Sequence, residues 1–276
     1  MASDPTFSQI IYRAPGLTTS SHTPSQPLPS SQFLYWRVRA RNACGIGQIS
    51  PTSSFSTLAV AGECGATAQP VTLFQEDFES GASSWVSSGV QNGQALTDTW
   101  TLSDTRTHSG SAAMVAPGIE SASDRYLLSP AITLPADQSG LTLHFWNYQS
   151  IERVRSNNLE VVACYDGALI ELSPDQGATW LDIPPANFLT DQYDGQISGS
   201  FDNPLGGRRA WCGDPQDWLE SIIDLNAYAG QRVHLRFRMG TDDGTSREGW
   251  YVDDVKVQYC TAGKKTLYLP LLTGGQ

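Results

Sequence analysis

Short apolar segments of strand character recur along most of this chain at close intervals, separated by turn residues. In "RVHLRFRM", Val233, Leu235, Phe237 and Met239 alternate with polar side chains, and this period of two is typical of a strand with one buried face. Similar segments are "VTLFQEDFE", "RYLLSPAITL", "LTLHFWNYQS", "LEVVACYDGALIELSPD" and "GWYVDDVKVQYC". Many short strands at regular spacing predict an all-β chain built as a two-sheet sandwich.

Helical periodicity is scarce. For the segment "DWLESIIDLNAYAG" we expect at most a short helix or a covering loop. The chain contains 25 Gly and 16 Pro residues together with eight Trp, ten Tyr and nine Phe. This composition favours short strands joined by turns over long helices.

The charge of the chain narrows the classes of partner. A formal net charge of -11 makes binding to nucleic acid or to an anionic membrane through a basic face unfavourable. The sequence has no run of 18 apolar residues, and "MASDPTFSQI" lacks the basic and apolar regions of an export signal. We therefore expect neither nucleic-acid binding nor membrane insertion.

Five cysteines, an odd number, lie far apart and show none of the spacings of zinc sites. Cys164 and Cys212 fall within one predicted domain, and Cys64 and Cys260 bracket it, so these two pairs are the predicted disulfides. Cys44 is left over. Connectivity does not follow from sequence alone, and five buried thiols are the alternative.

The first 60 residues contain the strand-like "FLYWRVRARNACG", the turn-forming "GIGQISPTSS" and "FSTLAV", which is predicted to be the hairpin partner of the strand. The order "DPTFSQIIYRAPGLTTSSHTPSQPL" followed by "YWRVRARNACGIGQISPTSSFSTL" resembles the later strands of a fibronectin type III domain of secreted bacterial proteins, with Asn42 and Gly45 at a turn. The resemblance implies an incomplete immunoglobulin-like sandwich over 1–60. Its exposed edges predict residues that are mobile, rearranged or completed by another chain, with self-assembly as one route.

Residues 61–72, beginning "AGECGATAQP", have the composition of a linker. Beyond them, an ordered set of motifs resembles the MAM-like jelly roll that accompanies secreted bacterial metallopeptidases of the immune-inhibitor-A type. The motifs are "EDFESGASSW", "HSGSAAM", "RYLLSPAITL", "LTLHFWNY", "YDGALIELSPDQGATW", "NPLGGRRAWCG" and "GTDDGTSREGWYVDDVKV". The resemblance implies a jelly-roll domain over 73–262 of an extracellular or cell-surface protein, followed by a tail over 263–276. Jelly rolls host many functions, so the fold alone does not decide this one.

Adjacent carboxylates in "YVDDV" are unusual for a strand, because Asp is depleted there. In a jelly roll the first and last strands are neighbours, so Asp253 and Asp254 should approach the acidic "EDFES". Calcium, which binds six to eight oxygen atoms, is the natural counter-charge. The resemblance implies Glu79 and Asp253 as ligands, with Asp77 or Asp254, and carbonyls from 106–109. The alternative is solvated carboxylates at a sheet edge, partly paired with Arg106 or Lys256.

Other acidic groups, including Asp191, Asp194, Asp242 and Asp243, lie in segments typical of turns, and neither of the two segments has the spacing of an EF-hand. The chain contains none of the HExxH, GxSxG or GxxxxGK[ST] motifs. Of its four histidines, His22 falls in a Ser/Pro-rich stretch and His108 precedes a Gly-Ser turn. We therefore predict that this region is not an enzyme, although it is expected to accompany one such as a metallopeptidase.

Two strands carry the side chains of a candidate ligand face. His144, Trp146 and Tyr148 alternate with apolar residues in "LTLHFWNY", and the polar set of "RVHLRFRM" is His234, Arg236 and Arg238. If the two strands share a sheet, aromatic and basic groups line one face, which would suit sugars or the carboxylates of acidic glycans and peptides. The alternative is that loops, for example residues 211–218, cover this face as a second core layer.

The sequence thus predicts a non-catalytic extracellular binding or adhesion module of a secreted bacterial peptidase or surface protein, with a structural calcium ion. Its partner would be a glycan or an extracellular protein. The alternatives are a carbohydrate-binding module and an assembly subunit completed by a partner's strands. The tail "KKTLYLPLLTGGQ" resembles the endings of some secreted bacterial surface proteins and is too short to span a membrane. It would serve as an added strand or a sorting tail.

Overall fold

The computed structural model describes residues 1–66, 68–97, 99–155 and 161–261. Contacts divide the chain into two compact units. One holds residues 1–70 with Cys260 and Thr261, and the other holds residues 71–259. The predicted tail over 263–276 lies outside the described residues.

The described residues of the smaller unit contain four short strands, and most of their side chains are exposed. They are β1 (Phe33–Trp36), β2 (Arg39–Asn42), β3 (Gly45–Ile49) and β4 (Ser53–Ser56). β1 pairs with β4, and β2 pairs with β3 as a hairpin. Leu34 is fully buried, whereas every residue of β2 and β3 is exposed, including Ile46 at 64%. The resemblance to fibronectin type III stays a prediction.

Seventeen strands and two 3-10 helices make up the regular structure described in the larger unit. In chain order the strands are β5 (Pro70–Glu76), β6 (Val86–Gln91), β7 (Gln94–Thr97), β8 (Thr101–Ser103), β9 (Ala113–Pro117), β10 (Ser123–Leu128), β11 (Ile132–Thr133), β12 (Ser139–Ser150), β13 (Arg153–Arg155), β14 (Val161–Cys164), β15 (Gly167–Ser173), β16 (Leu181–Asp182), β17 (Gly195–Gln196), β18 (Arg209–Ala210), β19 (Trp218–Asp224), β20 (Arg232–Thr241) and β21 (Gly249–Cys260). The 3-10 helices are Pro185–Asn187 and Asn226–Tyr228.

Two large sheets organise these strands into a sandwich. The seven-stranded sheet has the order β16-β15-β20-β10-β6-β7, and β11 also pairs with β20. The six-stranded sheet has the order β19-β12-β21-β9-β8, and β5 also pairs with β21. The predicted all-β sandwich is therefore confirmed, and the first strand of this unit lies beside the last one as expected.

Aromatic side chains from both sheets fill the space between them. The ring centroids of Phe145 on β12 and Phe237 on β20 lie 5.1 Å apart, and Trp250 on β21 lies 5.9 Å from Phe237. All three side chains are fully buried. Full burial of one such side chain stabilises the fold by roughly 1.5 to 3 kcal/mol. The period-two alternation of the sequence therefore identified the inward faces of β12 and β20 correctly.

Both predicted disulfides are present. Cys164 and Cys212 are bonded in the larger unit, with a Cα–Cα distance of 5.7 Å, and Cys64 is bonded to Cys260 in the smaller unit, with a distance of 5.4 Å. Cys44 is a free, exposed thiol. The Cys164–Cys212 bond closes a loop of 48 residues. Closure of a loop of this length restricts the unfolded chain and is worth about 4 kcal/mol.

The expectation for "DWLESIIDLNAYAG" was wrong. Residues 218–224 form strand β19, which pairs along its whole length with β12, and only Asn226–Tyr228 is helical. Ile222 and Ile223 are both buried, and β-branched residues favour a strand. Pairing with β12 therefore decides the local structure, which a short apolar run leaves ambiguous. Within the described residues, no helix has the length and apolar character needed to cross a membrane.

Candidate ligand-binding site

The adjacent carboxylates of β21 lie where the strand alternation slips by one residue. Trp250 and Val252 face the core before this point, and Val255 and Val257 face it after. Asp254 has a φ of 49°, in the left-handed region that Asp tolerates better than most residues. This is the behaviour of a β-bulge, which places two successive residues outside the core pattern. Asp253 is nevertheless fully buried.

Four backbone N–H groups in residues 108–112 donate hydrogen bonds to the predicted acidic cluster and so stabilise part of its charge. The Oδ2 atom of Asp253 accepts hydrogen bonds from the N–H groups of His108 at 2.8 Å and Ser109 at 3.2 Å. The Oε1 atom of Glu79 accepts from Ser111 at 2.7 Å and Ala112 at 2.8 Å. Burial raises the pKa of Asp253, whereas hydrogen bonds from Ser111 and Ala112 lower the pKa of Glu79.

Gly110 is required in this loop by geometry. Its φ is 55°, and a Cβ atom at this position would lie 2.3 Å from the Oε1 atom of Glu79. Asp77 is not part of the same contact, because its Oδ1 atom accepts the N–H of Glu79 at 3.2 Å. Arg106, the alternative partner of these carboxylates, instead binds Glu248 at 2.6 Å.

Three other carboxylates lie closer together than the four residues predicted to bind calcium. Donor atoms of Glu152, Asp166 and Asp242 all lie within 4.8 Å of one another, and this is the one group of that kind among the described residues. Asp77, Glu79, Asp253 and Asp254 do not supply three such converging atoms. The sequence had assigned Asp242 to a turn, and its buried position was not anticipated. Calcium at the predicted site stays a prediction. Carboxylate oxygens that accept hydrogen bonds from N–H groups retain lone pairs, so these contacts leave room for a bound ion.

The predicted ligand face is divided between the two sheets. His144, Trp146 and Tyr148 lie on β12 in the six-stranded sheet, whereas His234, Arg236 and Arg238 lie on β20 in the seven-stranded sheet. The shared face that the sequence suggested therefore does not form. Sequence alone could not assign the two strands to sheets, because both show the same alternation.

The arginines of β20 form ion pairs with carboxylates of the protein itself. Arg236 binds Glu171 through Nε at 2.6 Å and Nη2 at 2.5 Å, and Arg238 binds both Glu171 and Asp124. The Nδ1 atom of His234 contacts the carbonyl oxygen of Ser129 at 3.0 Å. Arg208 reaches the same Glu171 from the segment that precedes β18. The covering-loop alternative thus describes this face, with a segment before residues 211–218 in the covering position.

An aromatic surface lies on the outer face of the six-stranded sheet. Strand register places Trp146 beside Glu220 and Tyr148 beside Trp218. The ring of Tyr148 lies 5.9 Å from that of Trp218 and 6.1 Å from that of Tyr251. The guanidinium of Arg106 sits 4.2 Å above the Tyr148 ring, in cation–π geometry.

His108 joins this surface from the loop before β9. Its ring stacks on Trp146 with centroids 3.8 Å apart and an angle of 9° between the planes. Its Nδ1 atom lies 2.6 Å from the Oδ2 atom of Asp254. One face of the Trp146 indole is therefore already covered by the protein itself.

A pocket of about 210 Å³ opens beside Trp146 on this surface. Its lining residues come from β5, β12, β19 and β21: Gln75, His144, Trp146, Glu220, Asp254 and Lys256. The Nδ1 atom of His144 lies 3.1 Å from Glu220, and its Nε2 atom contacts Thr142 and Gln258. Among the described residues, Gln75 and Lys256 make no side-chain hydrogen bond or ion pair.

Sequence reasoning had assigned two of these six lining residues, His144 and Trp146, to the candidate ligand face. Asp254 was assigned to a cation, and Lys256 to the pairing of edge carboxylates. Glu220 was missed because residues 218–224 were not expected to form a strand, although the alternation in "WLESIID" carries that signal. Nothing in the sequence around His108 indicates that its ring would stack on Trp146.

No family model matches the chain. Bacillopeptidase F of Bacillus subtilis (strain 168) is 33% identical over an alignment of 98 residues that covers 33% of this chain and 7% of that protein. Pre-pro-metalloprotease PrtV of Vibrio cholerae serotype O1 (strain M66-2) is 31% identical over 141 residues, which are 51% of this chain and 12% of that protein. The similarity thus covers about an eighth or less of two bacterial proteins that are peptidases by name.

Solved structures with similarity include the K3 cleaved adhesin domain of Lys-gingipain from Porphyromonas gingivalis w83. Its TM-score is 0.38 with 21% identity, over 69% of this chain and 99% of that one. TmCBM61 in complex with β-1,4-galactotriose has a TM-score of 0.38 with 14% identity, over 67% of this chain and 93% of that one.

Proposed function

We propose that this chain is a non-catalytic, extracellular binding module of a bacterial peptidase, and that a glycan binds on the outer face of the six-stranded sheet. The observation that carries the proposal is the pocket beside Trp146, where an indole and several hydrogen-bonding groups converge. Aromatic rings beside polar groups suit the apolar faces and hydroxyl edges of sugars. The two peptidase relatives support attachment to such an enzyme.

Removal of the indole tests the proposal. Trp146→Ala is expected to weaken glycan binding at least about tenfold, because a central aromatic side chain at a binding site carries a large part of the affinity. Binding is measured on a glycan array and then by titration calorimetry with the strongest ligand.

Trp180→Ala is the matched control, because Trp180 has similar partial exposure but contacts Arg236 on the other sheet. It should leave the affinity unchanged. Equal loss in both variants, or an array without any signal, would contradict the proposal.

We also propose that a calcium ion stabilises this module at the acidic segments of β21 and of the loop after β5, through Asp77, Glu79, Asp253 and Asp254. Asp253 supports the proposal, since it is a carboxylate fully removed from solvent. Hard cations stabilise such groups because they replace the lost hydration. The ion would bind to the lone pairs that the N–H groups of residues 108–112 leave unused.

Chelation tests the ion. Addition of EGTA is expected to lower the melting temperature, and calcium should restore it, because an ion that binds only the folded state stabilises that state. Asp254→Asn should abolish this dependence at the proposed site. If Asp166→Asn abolishes it instead, the ion binds among Glu152, Asp166 and Asp242. A melting temperature that changes neither with EGTA nor with calcium would contradict the proposal.

A further inference from the structure

The side chains of the pocket beside Trp146 also bear on the charge of its ligand. The inference drawn from them rests on the proposed function. The arginines that the sequence offered for an acidic ligand are on the other sheet and bind Glu171 and Asp124. The pocket itself holds two carboxylates, Glu220 and Asp254, and one ammonium group, Lys256. The side chains of the pocket alone would therefore present a ligand carboxylate or sulfate with more negative than positive charge.

Both hydrogen-bond donors and hydrogen-bond acceptors remain available in the pocket. Lys256 interacts electrostatically with Glu220. Among the described residues, however, neither its ammonium group nor the Gln75 amide makes a side-chain hydrogen bond, and both can donate. The carboxylate of Glu220 contacts His144 at 3.1 Å through Oε1, which leaves its second oxygen to accept. Asp254 accepts from Ser109 at 2.9 Å and retains further lone pairs.

From this combination we infer that the pocket binds an uncharged sugar residue, whose hydroxyl groups both donate and accept. Glu220 and Asp254 accept hydrogen bonds from hydroxyls, and Lys256 and Gln75 donate to hydroxyl or ring oxygens. Because His108 already stacks on one face of the indole, the sugar contacts the remaining face or the edge of Trp146. A cationic ligand is the competing class, because it could bind the two carboxylates, but it offers no acceptor for the donors Lys256 and Gln75.

The test compares three classes of probe on the intact chain: neutral oligosaccharides of hexoses and N-acetylhexosamines, acidic glycans with uronate, sialate or sulfate groups, and oligolysine. The neutral class alone is expected to bind. Its affinity should be nearly the same in low and high sodium chloride, because salt screens interactions between charges and leaves those of an uncharged ligand largely unaffected.

Two conservative variants place the ligand in the pocket. Glu220→Gln and Lys256→Met are each expected to weaken binding of the neutral ligand about tenfold or more, since hydrogen bonds to charged groups are the stronger ones. Asp137→Asn, an exposed carboxylate outside the pocket, is the control and should not change the affinity. Unchanged melting temperatures exclude unfolding as the cause.

The outcomes separate this inference from the proposed function. A chain that binds acidic glycans alone overturns the uncharged ligand and leaves the glycan module standing. If the neutral ligand binds Glu220→Gln and Lys256→Met as tightly as it binds the parent, then the pocket is not its binding site. Binding of oligolysine alone, or of no probe, overturns both.

Discussion

Glu171→Gln is expected to destabilise the larger unit by about 3 to 5 kcal/mol, the usual cost of removing one partner from a buried ion pair. Glu171 is 3% exposed on β15, and its two carboxylate oxygens bind Arg208, Arg236 and Arg238. Arg238 keeps Asp124 in the variant. Arg236 is half-buried and keeps its contacts above the Trp180 and Tyr126 rings and a longer-range attraction to Asp124, but it loses its one carboxylate ion pair.

The free energy of unfolding, measured in urea by tryptophan fluorescence, checks this result. Glu120→Gln is the matched control, because Glu120 is exposed, and it should change stability by less than about 0.5 kcal/mol. The double variant Glu171→Leu with Arg236→Met removes both charges and should recover part of the loss. A Glu171→Gln variant within about 1 kcal/mol of the parent would show that the arginines stay solvated.

The same Glu171 shows how far sequence reasoning reached. Alternation along "RVHLRFRM" predicted correctly that Arg236 and Arg238 point away from the core, because every second residue of a strand faces the same side. It could not say what covers that side. The covering residue Arg208 lies 28 positions upstream of Arg236, and no local pattern connects them. Which residue covers this face of the sheet therefore depends on the tertiary path of the chain and not on local sequence.

The acidic segments of β21 show a second limit. The sequence predicted that the strand Gly249–Cys260 lies beside β5 and that Asp253 needs a counter-charge, and the structure contains both the pairing and a set of partners. The identity of those partners was not predictable, because backbone N–H groups carry no sequence signature. The bulge at Asp254 was not predictable either, because the sequence around it does not indicate a φ of 49°.

Asp166→Asn is expected to make the protein less sensitive to pH and more stable above neutrality. Asp166 is 1% exposed, and its Oδ1 atom accepts the N–H of Asp242 at 2.9 Å. Burial, aided by the charges of Asp242 and Glu152, raises the pKa of Asp166 from 3.8 to about 7, against the opposing effects of the hydrogen bond from the Asp242 N–H and, less strongly, of Arg125. Asn keeps the shape and an acceptor oxygen at this position but cannot ionise.

The sign follows from proton binding. Between the unfolded pKa of 3.8 and the folded pKa of about 7, the folded state holds a proton that the unfolded state has released, so stability falls as the pH rises. Above the folded pKa, both states are ionised at Asp166 and its contribution becomes constant. From about pH 5 to pH 8 the parent should lose on the order of 2 to 3 kcal/mol through this group.

Urea unfolding at several pH values between about 5 and 8 measures this effect as the difference between the parent and Asp166→Asn. The difference cancels the titration of carboxylates common to both proteins. We expect similar stabilities at the acid end and a more stable variant at the alkaline end, while the exposed Asp137→Asn control follows the parent throughout. Parallel profiles of the parent and Asp166→Asn would mean that Asp166 is ionised in the folded protein over the whole range. Water or a bound cation would then have to stabilise its charge beside Glu152 and Asp242.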